Sequence, residues 1–234
     1  MARRSTQSLR NRTVTINTGA KNNAHVVTGR SRRGGTAGKR ARGAGGHQRV
    51  QYLPPENWHE PREQVRDYKV ISQSAGVGYR HIITAAEVRD RLAQLPAWMT
   101  ADLQVVQLSR MTRKKQTFPC YGMQWGNAIY LYPVEDDRIE HFTAPPKPAQ
   151  IIEARMYGAC WQDTKAGWRL VWTETALRDF YLNNILIHEL GHLLDQRNTS
   201  YADRERYAEW FALEYGYKQS RKALANAAAD MFCE

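Results

Sequence analysis

Tyr181-Leu182-Asn183-Asn184-Ile185-Leu186-Ile187-His188-Glu189-Leu190-Gly191-His192-Leu193-Leu194-Asp195 is the stretch around which the rest of the chain is organised. Leu182, Ile185, Leu186, Leu190, Leu193 and Leu194 recur at spacings of three and four. That is the pattern of an amphipathic helix whose apolar face covers about one third of its circumference. His188, His192 and Asp195 fall on another stripe, expected to face a cleft. Side chains four residues apart stand one above the other on a helix, so His188 and His192 can hold one metal ion between their imidazoles. Glu189, offset by one residue, can reach a water on that ion without ligating it. Glycine inside a helix costs about 1 kcal/mol relative to alanine, so Gly191 predicts that another backbone or a ligand comes close there.

His-Glu-x-x-His on a helix is the arrangement of zinc hydrolases, which need a third protein ligand and an open position for water. An ordinary amphipathic helix with two surface histidines would explain the spacing but not a glutamate placed between them. A purely structural zinc site has no use for that glutamate and closes its fourth position. Candidates for the third ligand lie in Asp203-Arg204-Glu205-Arg206-Tyr207-Ala208-Glu209-Trp210-Phe211, where Glu205 and Glu209 share a face at spacing four. Asp195 sits too close along the axis to complete a tetrahedron with the two histidines, and a hydrogen bond behind the ligands suits it better.

His188-Glu189-Leu190-Gly191-His192-Leu193-Leu194-Asp195, followed downstream by Ala208-Glu209-Trp210-Phe211-Ala212-Leu213-Glu214-Tyr215, resembles the glutamate-ligand zincins, or gluzincins. Within them it is similar to the catalytic domain of the lethal-factor type of toxin metallopeptidase. There the metal helix reads His-Glu-Phe-Gly-His-x-x-Asp and the third ligand lies in Ala-Glu-Phe-Phe-Ala-Glu-Ala-Phe. The resemblance implies one catalytic zinc ion (Zn2+) with His188, His192 and Glu209 as ligands and Glu189 as general base. The ImmA/IrrE-like peptidases share a similar Glu-x-x-x-Phe-Ala helix, and that alignment makes Glu205 the third ligand instead. The lethal-factor type also has a tyrosine shortly before its third ligand that stabilises the oxyanion. Tyr201 lies one residue off that spacing and is the expected counterpart, with Tyr207 the other option. The resemblance covers roughly residues 100–220 in architecture but only about twenty residues in motif. It implies a zincin fold and an endopeptidase acting on a protein or peptide substrate. Glu189 would accept the proton of a zinc-activated water and deliver it to the leaving amine.

The 234 residues suffice for one domain of ordinary size with something left over. No run approaches the 18 or more apolar residues that span a bilayer, and the N-terminus shows no apolar signal region. Three cysteines are too few and too scattered for a disulfide framework or a thiolate zinc site. No membrane association and a cytoplasmic setting are therefore expected. The net charge of +11 is segregated: residues 1–55 hold twelve Lys and Arg and no acidic residue, while the remainder is nearly neutral. Residues 1–55 are predicted to form a basic Arg- and Gly-rich arm, disordered when free, ahead of a metallopeptidase domain over residues 56–234. Through residues 1–50 the arm could tether the chain to nucleic acid or another polyanion, or serve only as a solubilising or targeting segment. A nucleic-acid-associated protein whose domain acts on bound proteins, or is inactive, is the alternative function. Gly34, Gly35, Gly38 and Lys39 do not have the spacing of a phosphate-binding loop.

Beyond the Pro54–Pro61 linker, two short strands are expected around Gly76-Val77-Gly78. A capping box at Thr84–Glu87 opens a helix through Val88, Leu92 and Leu95. Leu103–Leu108 reads as a strand, and Arg110, Arg113, Lys114 and Lys115 as a solvated basic loop. Ala128–Tyr132, closed by Pro133, reads as an edge strand able to bind an extended peptide. Ile151–Trp161 and Trp168–Trp172 are read as two further strands, and a last helix starts near Asp203 with Ser200 as cap. The expected fold class is α+β and zincin-like: a small, twisted, mostly antiparallel sheet packed on the His-Glu-x-x-His helix, with a following ligand helix.

Overall fold

A computed structural model describes residues 54–62, 67–117 and 119–231. The expectations attached to the basic arm fall on residues 1–53, outside the described residues. The fold is α+β, with short sheets and a helical C-terminal half. Strands β1 (Lys69–Ser72) and β2 (Tyr79–Arg80) flank the expected glycine turn, and helix α1 (Ala85–Ala93) follows. The capping box forms in full: Thr84 Oγ1 accepts from the Glu87 amide at 3.2 Å, and Glu87 Oε2 accepts from the Thr84 amide at 2.8 Å. Next come β3 (Val105–Leu108), the short helix α2 (Arg113–Thr117), β4 (Gly122–Trp125) and β5 (Ala128–Leu131).

The main sheet runs β1-β3-β5-β4. Two of its three pairings are parallel, and β4 alone runs antiparallel, so the expectation of a mostly antiparallel sheet is corrected for this layer. The physical reason is the crossover through α1, which returns the chain to pair β3 in the same direction as β1. A second correction concerns Ala128–Tyr132. β5 lies inside the sheet between β3 and β4, buried on both faces, and the edges are β1 and β4. The unbroken apolar run Ala-Ile-Tyr-Leu is the pattern of such a doubly covered strand.

One face of this sheet, Val106, Leu108, Ile129 and Leu131, packs with Leu92, Ile185, Ile187 and Leu190 in the main core. Burying each such aliphatic side chain contributes about 1.5–3 kcal/mol. The other face, Val105, Met123, Ala128, Tyr130 and Tyr132, forms a smaller cluster. Residues 54–62 approach that second face and do not hang free as a linker. The His59 amide donates to Tyr130 Oη at 2.7 Å, and the Arg62 amide donates to Gln104 Oε1 at 2.8 Å.

β6 (Val134–Glu135) pairs with β2, and β7 (Ile139–Phe142) begins a three-stranded antiparallel sheet of order β7-β9-β8. The segment read as a strand over Ile151–Trp161 is mostly helix α3 (Pro148–Tyr157), followed by β8 (Cys160–Thr164) and β9 (Gly167–Val171). Proline in its first turn and Gly158 in the left-handed conformation after its end are the helix signals that override the β-rich composition. Then α4 (Glu174–Phe180), a π-helical turn (Tyr181–Ile185) and α5 (Leu186–Leu194) run as one continuous helix. Helix α6 (Tyr201–Phe211) is capped by Ser200, as expected, and begins two residues before Asp203; a second π turn (Ala212–Tyr217) joins it to α7 (Lys218–Met231). The two π turns pack on each other. Gly216 leaves no room for a side chain, since a Cβ there would lie 1.9 Å from the Asn183 carbonyl oxygen. Arg91 ties both turns together, donating to Asn183 Oδ1 at 2.6 Å and to the Tyr215 carbonyl at 2.5 Å. Among the described residues no helix is long and apolar enough to cross a membrane.

Candidate metal centre

Helix α5 presents His188 and His192 one turn apart, with their Nε2 atoms 3.1 Å from each other. Both imidazoles are buried. Burial, and then the neighbouring His192, pushes the pKa of His188 well below its ordinary value. The imidazole is thereby kept in the neutral form that binds metals. Across from them, Glu205 on α6 places Oε1 3.4 Å from His192 Nε2 and Oε2 3.7 Å from His188 Nε2. Ligand atoms about 2.0–2.1 Å from a tetrahedral zinc are about 3.4 Å apart, so this spacing and this N, N, O donor set fit that ion. Among the described residues, these three form the group of His, Cys, Asp or Glu side chains able to share a metal.

Glu209, the expected third ligand, is exposed and outside this group, and Glu205 takes the geometric position. The two glutamates share a stripe, so which one meets the histidines depends on how far α6 slides along α5. Two contacts set that register. Gly191 lets the helices touch at backbone distance, its missing Cβ falling 3.1 Å from both Ala208 Cα and Phe211 Cβ. The neighbour that Gly191 predicted is therefore the ligand helix itself. Arg204, next to Glu205, donates from Nη2 to the His192 carbonyl and from Nη1 to the Asp195 carbonyl, both at 3.0 Å. Sequence reasoning missed Arg204, because nothing in its spacing distinguishes it from a surface arginine. Asp195 makes no hydrogen bond to the imidazoles. Its carboxylate accepts from the Asn198 amide at 3.1 Å and from Asn198 Nδ2 at 3.0 Å, which braces the loop into α6.

Glu189 is wholly buried. Its pKa is raised well above the ordinary value, first by burial and then by the charge of Glu205. The Gln124 backbone amide and the Lys115 charge act in the opposite direction. The strand above it has no side chain to spare at that point: a Cβ on Gly122 would lie 2.7 Å from Ile185 Cγ2 and 2.8 Å from Glu189 Oε1. The Tyr132 amide bonds to the Tyr121 carbonyl at 2.8 Å, and ladder bonds alternate along an antiparallel pair. The main-chain groups of Gly122 and Gln124 consequently point away from β5, on the side of Glu189, where the Gln124 amide donates to the Glu189 carboxylate.

Tyr201 stands half-exposed at the start of α6, with its hydroxyl hydrogen-bonded to Glu205. Burial and the Glu205 charge push its pKa up, so the phenol stays protonated. Tyr207, the other option, packs with Trp210 and Phe211 and interacts with Asp195, away from the histidines. The supposedly solvated basic loop contributes a buried Lys115, whose ammonium lies 4.3 Å above the Tyr132 ring and 3.2 Å from Cys120 Sγ. Comparison with protein-family models, characterised proteins and solved structures finds no match for this chain.

Proposed function

We propose that this chain is a zinc-dependent metallopeptidase of zincin-like architecture, which hydrolyses peptide bonds. The observation that carries the proposal is the buried convergence of His188, His192 and Glu205 with a wholly buried Glu189 one residue from the first imidazole. His188, His192 and Glu205 would hold the ion. Zinc bound there supplies a Lewis acid and brings the pKa of a water to about 7. Glu189, buried beside this site, would take a proton from the attacking water and pass it to the departing amine. The Tyr201 hydroxyl, released from Glu205, would donate to the carbonyl oxygen as negative charge builds there. The edge of β4, beside Glu189, would bind an extended substrate by main-chain hydrogen bonds. That role moves from Ala128–Tyr132, which has no free edge. Glu205 as third ligand favours the ImmA/IrrE-like alignment over the lethal-factor type.

The test is zinc content together with cleavage of a peptide library, comparing wild type with Glu189→Gln. The variant should keep one zinc per chain and lose cleavage by about 10²–10⁴-fold. A variant that keeps both its zinc and full activity removes the general base from the proposal and the reaction with it.

A further inference from the structure

Away from the metal centre, Lys115 on α2 and Cys120 just before β4 bring two nucleophiles into contact. Lys115 is buried, although lysine heads normally reach solvent. Its ammonium donates to Cys120 Sγ at 3.2 Å and lies 4.3 Å above the Tyr132 ring. Among the described residues it makes no ion pair with a carboxylate. A buried lysine held against a sulfur and a ring face forgoes hydration and gains no counter-ion in return. Methionine would fill the same space without that cost.

The sulfur is within reach of a small oxidant. Cys120 is half-buried, and with Lys115 it lines a cavity of about 50 Å³ walled by Tyr79, Met111, Pro133 and Val134. A water needs about 10–15 Å³ of such room, so a few waters, or hydrogen peroxide in their place, fit beside Sγ. Burial pushes the Cys120 thiol up, and the Lys115 charge pulls the other way. Cys160, the other described cysteine, is exposed on β8 and turns its sulfur to the Trp161 carbonyl instead.

We propose that Cys120 and Lys115 form a redox-dependent covalent site, in which oxidation of the thiol by peroxide is followed by an S–N bond to the lysine. In the first step the sulfur attacks one peroxide oxygen and the O–O bond breaks, giving a sulfenic acid and water. The sulfur is oxidised by two electrons, and the peroxide is reduced by them. In the second step the lysine nitrogen displaces hydroxide from the sulfenyl sulfur and forms a sulfenamide. Of the ammonium's three protons, one stays on nitrogen, one leaves with the hydroxide as water and one goes to solvent. Holding the amine against the sulfur makes this step intramolecular, so it outruns further oxidation. Thiols reverse it and return the free lysine and cysteine. Cys120 lies two residues before Gly122, so the link fastens α2 to the strand that covers Glu189. The covalent site stands whether or not the chain is a metallopeptidase.

The experiment treats the full-length chain with hydrogen peroxide, digests it with trypsin and reads the peptides by mass. Wild type should give a peptide joining Lys115 to Cys120, lighter than its reduced form by two hydrogens and uncut after Lys115. Dithiothreitol should restore both the reduced mass and the cut. The same treatment in urea, where the contact is lost, should carry Cys120 on to the sulfinic and sulfonic acids and leave Lys115 free. Lys115→Gln should stop at a sulfenic acid that dimedone traps, with about tenfold more adduct than wild type. A Cys120 that stays reduced while Cys160 is consumed overturns the proposal. So does a Cys120 oxidised in the folded chain with Lys115 still cut, or a link that forms equally well in urea.

Discussion

Replacing Glu153 by glutamine should stabilise the protein, and only above a definite pH. Burial pushes the Glu153 carboxyl from the ordinary 4.5 up to about 7, with the Glu209 and Glu140 charges adding to the effect and the bond from Asn184 opposing it. Between those two values the folded chain binds a proton that the unfolded chain has already released. Stability therefore falls as pH rises from about 4.5 to about 7, and the loss is complete above that range. A tenfold change in proton affinity is worth about 1.4 kcal/mol, so the full gap amounts to about 3 kcal/mol, an upper figure because the carboxyl is partly reached by solvent. Glutamine does not ionise and escapes this cost while keeping an oxygen for Asn184. In urea unfolding of the zinc-free proteins, Glu153→Gln should exceed wild type by about 2 kcal/mol more at pH 8 than at pH 5. An advantage of the same size at both pH values, or a loss of stability at pH 8, refutes the reasoning.

Two further outcomes bear on the centre itself. Glu205→Ala should purify without zinc and Glu209→Ala with one zinc per chain, read by elemental analysis after dialysis; the opposite pair of results would return the ligand role to Glu209. Among the close-packed glycines, Gly216→Ala should cost more than Gly191→Ala, because its methyl would lie 1.9 Å from the Asn183 carbonyl oxygen against 3.1 Å from Ala208 Cα. The first should reach or exceed about 3 kcal/mol, and the second about 1–2 kcal/mol, in urea midpoints converted to free energy; the reverse order would contradict the packing.

What the sequence revealed was local. Two histidines and a glutamate at helical spacing, a threonine–glutamate capping box and a serine before α6 all act within a few residues of themselves, so each could be read directly. What it concealed was relational. Whether Glu205 or Glu209 meets the imidazoles depends on the register between two helices, fixed by Gly191 against Ala208 and by Arg204 on two carbonyls. Pro133 suggested an edge for β5, but an edge is a property of the whole sheet, and Met123-Gln124-Trp125 is too short to announce a strand. The π turns leave no composition signal, since each only inserts an extra residue into a helix that the apolar pattern already predicts. Helix α3 was legible from Pro148 and Gly158 and was obscured by its apolar run.

The centre is held in position from three sides of one helix, and each contact passes through a glycine. Gly122 brings β4 onto Glu189, Gly191 brings α6 onto α5, and Gly216 brings the second π turn onto the first. Side-chain packing tolerates shifts of several tenths of an ångström by rotamer adjustment, whereas backbone against backbone, as at Gly191–Ala208 and Gly216–Asn183, has no such slack. With the two Arg204 bonds, these contacts bring the imidazole pair and Glu205 to ligand spacing. In the proposed peptidase, ligands fixed in this way would lower the ordering cost of metal binding and would place a water reproducibly beside Glu189.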